Sequence, residues 1–283
     1  MCPASSPAFR LHQWLCLYRF YIALLFLLIP ALALTAEQPA ATILSYHIVG
    51  EPTFQTIPRA GSADIPSEEL RYAVSCDAFE AQLDYLEQGG YHVVPLADLV
   101  DYIDGERSSL PARAVVITVD DGWLSSYTEM FPELSRRGMP FTLFIYPAIV
   151  GKGAAYVTWP EILDMAGAGV DVESHTFTHA LLSRRGHPDG SPADYDRFLE
   201  HELLDSKQEI EQKTGRPVRF LAYPFSDYDA DVERAVTRYG YEAALYDRDA
   251  GEFIGRTTPL LHLKRFPVLH DTTLRQFAGF LIP

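Results

Sequence analysis

Asp120 and Asp121 stand together at the end of the apolar run Val115-Val116-Ile117-Thr118-Val119, with Gly122 after them. Successive side chains of a strand point to opposite faces, so one carboxylate can hold a cation while its neighbour approaches a substrate. Taken alone, Asp-Asp-Gly is first of all a turn sequence, because Asp and Gly both favour turns. His175 and His179 lie four positions apart, just after the segment Val170-Asp171-Val172-Glu173-Ser174. That spacing can bring two imidazoles to one side of a helical turn, although a lone His-x-x-x-His is more often a surface or capping pair. In combination the two motifs say more. Two histidines and one carboxylate make a zinc-type donor set with a fourth position open, and one carboxylate is left to accept a proton. A cation held there lowers the pKa of its bound water towards about 7. The chemistry this describes is metal-assisted hydrolysis by one divalent ion, zinc first, with cobalt, nickel or iron also suited to the donors.

The elements that must position these groups are strands and helices in alternation. Strand-length apolar runs cover Ala41–Tyr46, Tyr91–Pro95, Ala114–Val119, Phe141–Tyr146, Val170–Glu173, Phe220–Ala222 and Tyr241–Leu245. Between them lie helix-like segments at Asp77–Gln88, Trp123–Arg137, Pro160–Ala168, Tyr195–Thr214 and Asp229–Tyr239. That order predicts an α/β fold with a mostly parallel sheet and helices outside it. Such folds place their chemistry at the carboxyl ends of the strands, where Asp120, His175 and Tyr223-Pro224-Phe225 all fall. His47 follows the first strand and opens into the same mouth, in a substrate, supporting or purely structural role. Tyr223 and Trp159 offer aromatic walls for a sugar, or core packing.

Thr118-Val119-Asp120-Asp121-Gly122 resembles the Thr-Phe-Asp-Asp-Gly motif of the polysaccharide deacetylase family, carbohydrate esterase family 4. Ser174-His175-Thr176-Phe177-Thr178-His179 resembles its Ser-His-Thr-x-x-His motif. Tyr46-His47, Phe79-Gln82-Leu83-Leu86-Gly90-Tyr91, Thr158-Trp159 and Tyr223-Pro224-Phe225 follow in family order. The Tyr-His opening and Tyr-Pro-Phe are most similar to the branch of exported poly-N-acetylglucosamine deacetylases. The resemblance implies a distorted, incomplete (β/α) barrel, Asp120 as catalytic base, and Asp121, His175 and His179 as metal ligands. It implies that the backbone N–H of Phe225 steadies the oxyanion. It also implies a late histidine as general acid, for which Leu260-Leu261-His262-Leu263 offers His262. The family arginine that orients the base is absent, since Ala222 stands in its place, and Arg265 in Lys264-Arg265-Phe266-Pro267-Val268 is a landmark of the branch. The activity implied is N-deacetylation of a polysaccharide containing N-acetylglucosamine, with metal-bound water attacking the acetamide carbonyl. The alternatives are an O-acetyl polysaccharide esterase and an idle carbohydrate-binding protein. Retention of all four of Asp120, Asp121, His175 and His179 argues against the idle protein.

Composition sets the outer bounds. The 283 residues are 48% hydrophobic and 22% charged, with a net charge of −15, which is ordinary for a globular chain. An acidic surface excludes a phosphate-backbone binder, so nucleic acid is not a partner. Residues 1–36 have the layout of a signal peptide or N-terminal anchor: Arg10, His12 and Arg19 precede the apolar run Phe20–Leu34, and Ala31-Leu32-Ala33 offers a cleavage pattern. The expectation is an exported protein, periplasmic, extracellular or membrane-anchored facing outward, with residues 37–283 as the catalytic domain. Cys76 is the one cysteine after that leader, so an internal disulfide and a cysteine metal site are both excluded there.

Overall fold

The computed structural model describes residues 41–50, 69–187, 191–247 and 251–282. The expected leader, residues 1–36, lies outside them. Among the described residues no helix is long and apolar enough to cross a membrane.

The chain order is β1 (Ala41–Tyr46), β2 (Ile48–Val49), β3 (Ala73–Val74), α1 (Cys76–Gln88), β4 (His92–Val93), α2 (Leu96–Asp104) and β5 (Ala114–Val119). There follow α3 (Phe131–Arg136), β6 (Thr142–Ile145), α4 (Trp159–Gly167), β7 (Asp171–Ser174), α5 (Pro192–Leu199) and α6 (Ser206–Thr214). The chain continues through β8 (Phe220–Ala222), α7 (Ala230–Arg238), β9 (Ala243–Asp247), β10 (Leu263–Pro267) and α8 (Leu274–Gly279). Strands β5 to β10 pair in sequence, and β1 closes the ring by pairing with both β10 and β5, all in parallel. The result is a (β/α) barrel of seven strands, as the alternation and the resemblance predict. It is distorted where β5 divides one edge: β4 pairs with Ala114 and Val115, and β6 with Thr118 and Val119. At the far side, β7 and β8 share a single aligned pair, Ser174 and Leu221.

Every residue of β1 and β5 is buried, as parallel strands covered on both faces must be. Alternation divides their side chains between two cores. Leu44, Val115, Ile117, Leu143 and Leu221 pack with helix residues such as Phe79, Leu83, Leu134 and Ile162. Ile43, Val116, Phe144, Phe220, Leu245 and Leu263 form the other core, inside the ring, where Leu96, Leu99 and Val100 of α2 join them. Local capping fixes the helix starts. Ser75 accepts the Ala78 N–H at the head of α1, and Thr158 with Glu161 forms a capping box ahead of α4.

Several elements differ from expectation, among them α2, α8 and the short β2 and β3, which the apolar runs do not mark. The helix expected from Trp123 starts at Ser126 with a π turn, because Trp123 forms a bridge with Tyr156. The segment Tyr195–Thr214 is helical, but residues Glu200–Asp205 within it are π-helical. Strand β10 was not expected, because Lys264 and Arg265 interrupt its apolar pattern. Arg265 is nonetheless only 1% exposed, a burial that a charged side chain tolerates when it is paired.

Candidate active site

The carboxyl ends of β1, β5, β7, β8, β9 and β10 converge on a cavity of about 250 Å³. His47, Asp120, Asp121, His175, His179, Tyr223, Phe225, Asp247 and Arg265 line it, with Arg71, Tyr72 and Ser226. Backbone strain gathers here as well. Among the described residues six non-glycine residues have positive φ, and five belong to these loops: Asp121 (72°), Thr176 (66°), His179 (62°), Phe225 (54°) and Ser226 (54°). Such conformations persist only where surrounding structure over-determines them. Gly122, at φ 68°, completes the turn after β5, where a Cβ would stand 3.3 Å from Ile145 and Val157.

Asp121 Oδ1 lies 3.4 Å from His175 Nε2 and 3.4 Å from His179 Nε2. This oxygen is buried and has no hydrogen-bond partner, while Oδ2 accepts the Trp123 indole N–H at 3.2 Å. His175 Nδ1 stands 2.8 Å from the Ala222 carbonyl. A carbonyl can only accept, so Nδ1 carries a proton and Nε2 is the nitrogen turned towards Asp121. Burial lowers the His175 imidazole, but Asp120 and Asp121 outweigh it and raise it above its ordinary value. Burial pushes the His179 imidazole down to about 4, aided by His175, which leaves it neutral and able to ligate near pH 7. Burial raises the Asp121 carboxyl, but the His175 contact with His47 and His179 outweighs it, leaving it far below the usual range. One bare, ionised oxygen converging with two imidazole Nε2 atoms makes a set of three donors. That arrangement fits a divalent cation.

Asp120, its Oδ2 4.0 Å from His175 Nε2, is held in an ion pair. Arg265 Nη1 donates to Oδ1 at 2.9 Å and Nη2 to Oδ2 at 2.6 Å, both within a buried site. Arg265 Nη1 also reaches Thr118 Oγ1 at 3.2 Å, and Nε donates to Asp247 Oδ1 at 2.8 Å. Ser45 donates to Asp247 Oδ2 at 2.9 Å. Burial works to raise the Asp120 carboxyl, and Arg265, with His175 and His47, brings it below its ordinary value instead. His47, Asp120 and Asp247 also converge as a three-donor group. Their four carboxylate oxygens are already accepting from Arg265 and Ser45, and a second cation would face the guanidinium, so this cluster is an ion-pair network.

His47 Nε2 is 4.0 Å from Asp120 Oδ2, its ring stacks on Tyr72 at 4.4 Å, and its buried Nδ1 has no partner. Tyr223 is buried, with its ring on Tyr228 at 4.6 Å and its hydroxyl unpartnered. Phe225 is 65% exposed at the rim, its ring 4.6 Å from that of His179. Two residues named in the sequence reading fall elsewhere. His262 is not among the lining residues: its Nε2 pairs with Glu233 at 2.9 Å, and its ring packs on Tyr228, behind Tyr223. Trp159 heads α4 and packs on the core, with Lys213 over its ring.

The sequence matches the polysaccharide deacetylase family over residues 107–244. The chain is 25% identical over 207 residues to YxkH of Bacillus subtilis (strain 168), a protein named for polysaccharide deacetylation, covering 73% of this chain and 64% of that one. It is 25% identical over 215 residues to the poly-β-1,6-N-acetyl-D-glucosamine N-deacetylase of Staphylococcus epidermidis, covering 73% and 72%. The solved structure of IcaB from Ammonifex degensii superposes with a TM-score of 0.68 at 25% identity, over 86% of this chain and 97% of that one. Residues 107–244 thus carry a polysaccharide deacetylase domain. The sequence motifs do not mark Asp247, although it ends an apolar strand, which is where polar site residues should be sought. They also pass over Arg71, Tyr72 and Ser226.

Proposed function

We propose that this protein is an exported, metal-dependent hydrolase that removes N-acetyl groups from a polysaccharide containing N-acetylglucosamine. The observation that carries the reading is Asp121 Oδ1, buried and bare, 3.4 Å from two imidazole nitrogens, next to a second carboxylate clamped by Arg265. Asp121, His175 and His179 would hold the cation. When bound there, a divalent ion supplies a water of lowered pKa and polarises the acetamide carbonyl.

The chain's own residues do the rest. Asp120, kept ionised by Arg265, takes the proton from the attacking water. Arg265 also fixes the orientation of Asp120, since its two nitrogens hold both carboxylate oxygens. The Phe225 N–H, at the left-handed turn of Phe225 and Ser226, would donate to the oxyanion; such donors are worth about 2.7–4 kcal/mol. His47, rather than His262, is the histidine placed to protonate the departing amine, because it lines the cavity beside Asp120. The substrate class draws on the Staphylococcus epidermidis relative, whose name specifies poly-β-1,6-N-acetyl-D-glucosamine. Export draws on the composition of residues 1–36.

The test is release of amine and acetate from β-1,6- and β-1,4-linked N-acetylglucosamine oligomers and from O-acetylated glycans, using Zn²⁺-loaded protein. Amine release from the N-acetylated oligomers is expected. Acetate released from O-acetylated glycans alone would assign an esterase instead.

A further inference from the structure

The loop from His175 to His179 has no regular structure, yet each of its backbone N–H groups is accounted for. His175 donates to the Ile145 carbonyl at 2.7 Å, Thr176 to Ser174 Oγ at 3.2 Å, and His179 to Thr176 Oγ1 at 3.1 Å. The two in the middle go to one side chain. Glu202 Oε2 accepts the Phe177 N–H at 3.1 Å and the Thr178 N–H at 2.9 Å, while Oε1 accepts the Thr178 hydroxyl at 2.5 Å. Glu202 is 2% exposed, and a buried carboxylate is costly unless it is fully hydrogen-bonded. It stands in the π-helical stretch Glu200–Asp205 between α5 and α6. Such stretches are rare and often mark functional sites. Directly after the stretch, Ser206 donates to the Thr176 carbonyl at 2.8 Å. Helix and loop are thus joined by four hydrogen bonds, three of them to one carboxylate. Flanking Phe177 and Thr178 are two left-handed residues, Thr176 and His179, the first of them β-branched.

We propose that Glu202 is a positioning residue for metal binding: it holds the middle of the His175–His179 loop so that both imidazoles meet Asp121. This role rests on the proposed function, with Asp121, His175 and His179 as the metal ligands. The anchor lies between the two histidines in sequence, at the point where a strained loop would relax first. Releasing it lets Thr176 and His179 leave their left-handed conformations, and the Nε2 atoms then no longer converge. Groups that orient metal ligands typically govern about 10–100-fold of metal affinity.

The experiment measures Zn²⁺ affinity by competition with a chromophoric chelator, together with thermal melts of the metal-free and Zn²⁺-loaded full chain. For Glu202→Gln a fall of about 10–100-fold in Zn²⁺ affinity is expected, and the Zn²⁺-induced rise in Tm should shrink. A residue that only stabilised the fold would lower both melts equally and leave the affinity unchanged, which would overturn the proposal. If Glu202→Gln does not fold, Thr178→Val removes one of the three bonds at an exposed position, and there unchanged affinity overturns it. His179→Ala separates the two readings. If that variant binds Zn²⁺ like the parent, the ligand assignment fails; if it loses Zn²⁺ while Glu202→Gln keeps it, only the role of Glu202 fails.

Discussion

Arg265 and Asp120 meet through two parallel hydrogen bonds, 2.9 and 2.6 Å long, although they come from β10 and the end of β5 with β1 between them. The pair answers a question raised by Ala222. Where the wider family has an arginine two residues before the proline of its third motif, this chain has a small residue that fills the barrel interior and offers its carbonyl to His175. The guanidinium that steadies Asp120 enters instead from a different strand. Lysine cannot reproduce this fork. Arg265→Lys should lower kcat roughly 10–100-fold, since it misplaces a general base worth about 10²–10⁴-fold, with a smaller change in KM. The Asp120 carboxyl would also rise, because Arg265 is the chief group lowering it. The acidic limb of the kcat profile should therefore move to higher pH. An unchanged profile with full rate would remove Arg265 from the site.

The two candidate acids can be separated directly. His47 lines the cavity, whereas His262 pairs with Glu233 on a half-exposed surface behind two stacked tyrosines. His47→Asn should cost about 10²-fold or more in kcat, with the metal retained. His262→Ala should leave the rate within about threefold and alter stability by about 0–1 kcal/mol, the range for an exposed ion pair. Reversal of the two rates would restore the acid role to His262.

Metal and base should be separable as well. Purified protein is expected to carry about one divalent ion per chain, as a single three-ligand site implies. Chelation should abolish turnover until Zn²⁺ is returned, and His175→Ala should lose most of the bound metal. Asp120→Asn should keep the ion and lose about 10²–10⁴-fold in rate. Metal analysis of the purified variants checks both. Loss of metal in Asp120→Asn with normal retention in Asp121→Asn would exchange the roles of the two aspartates.

Much of this was legible in the sequence because the information is local. Six buried residues in β5 read as a parallel strand, and Asp120-Asp121-Gly122 follows at its carboxyl end. What stayed hidden depends on partners far along the chain. Arg265 interrupts the apolar pattern of β10, and its burial makes sense only once Asp120 and Asp247 flank it, 145 and 18 positions away. Glu202 looks like one more charge in a polar helix until the π turn brings it against Phe177 and Thr178. His262 was favoured by its place in sequence, which carries no information about the tyrosines that separate it from the cavity.

Glu173 offers a test of stability rather than rate. It lies in β7, is 1% exposed, and has one carboxylate oxygen without a partner. The other oxygen accepts the N–H groups of Arg219 and Phe220 at 2.8 and 2.7 Å. Burial, with Asp171 adding to it, raises the Glu173 carboxyl well above its ordinary value despite those two donors. A raised folded-state pKa means that the native protein binds the proton more tightly than the unfolded chain does. The stability linked to this group is therefore complete below the unfolded value, near pH 4.3, and is lost as pH climbs through the raised one, at up to about 1.4 kcal/mol per pH unit. Glutamine keeps an acceptor for both N–H groups and removes the charge. The Tm of Glu173→Gln relative to the parent should thus become more favourable from pH 5 to pH 8. A difference that stays constant across that range would mean that Glu173 does not titrate with folding.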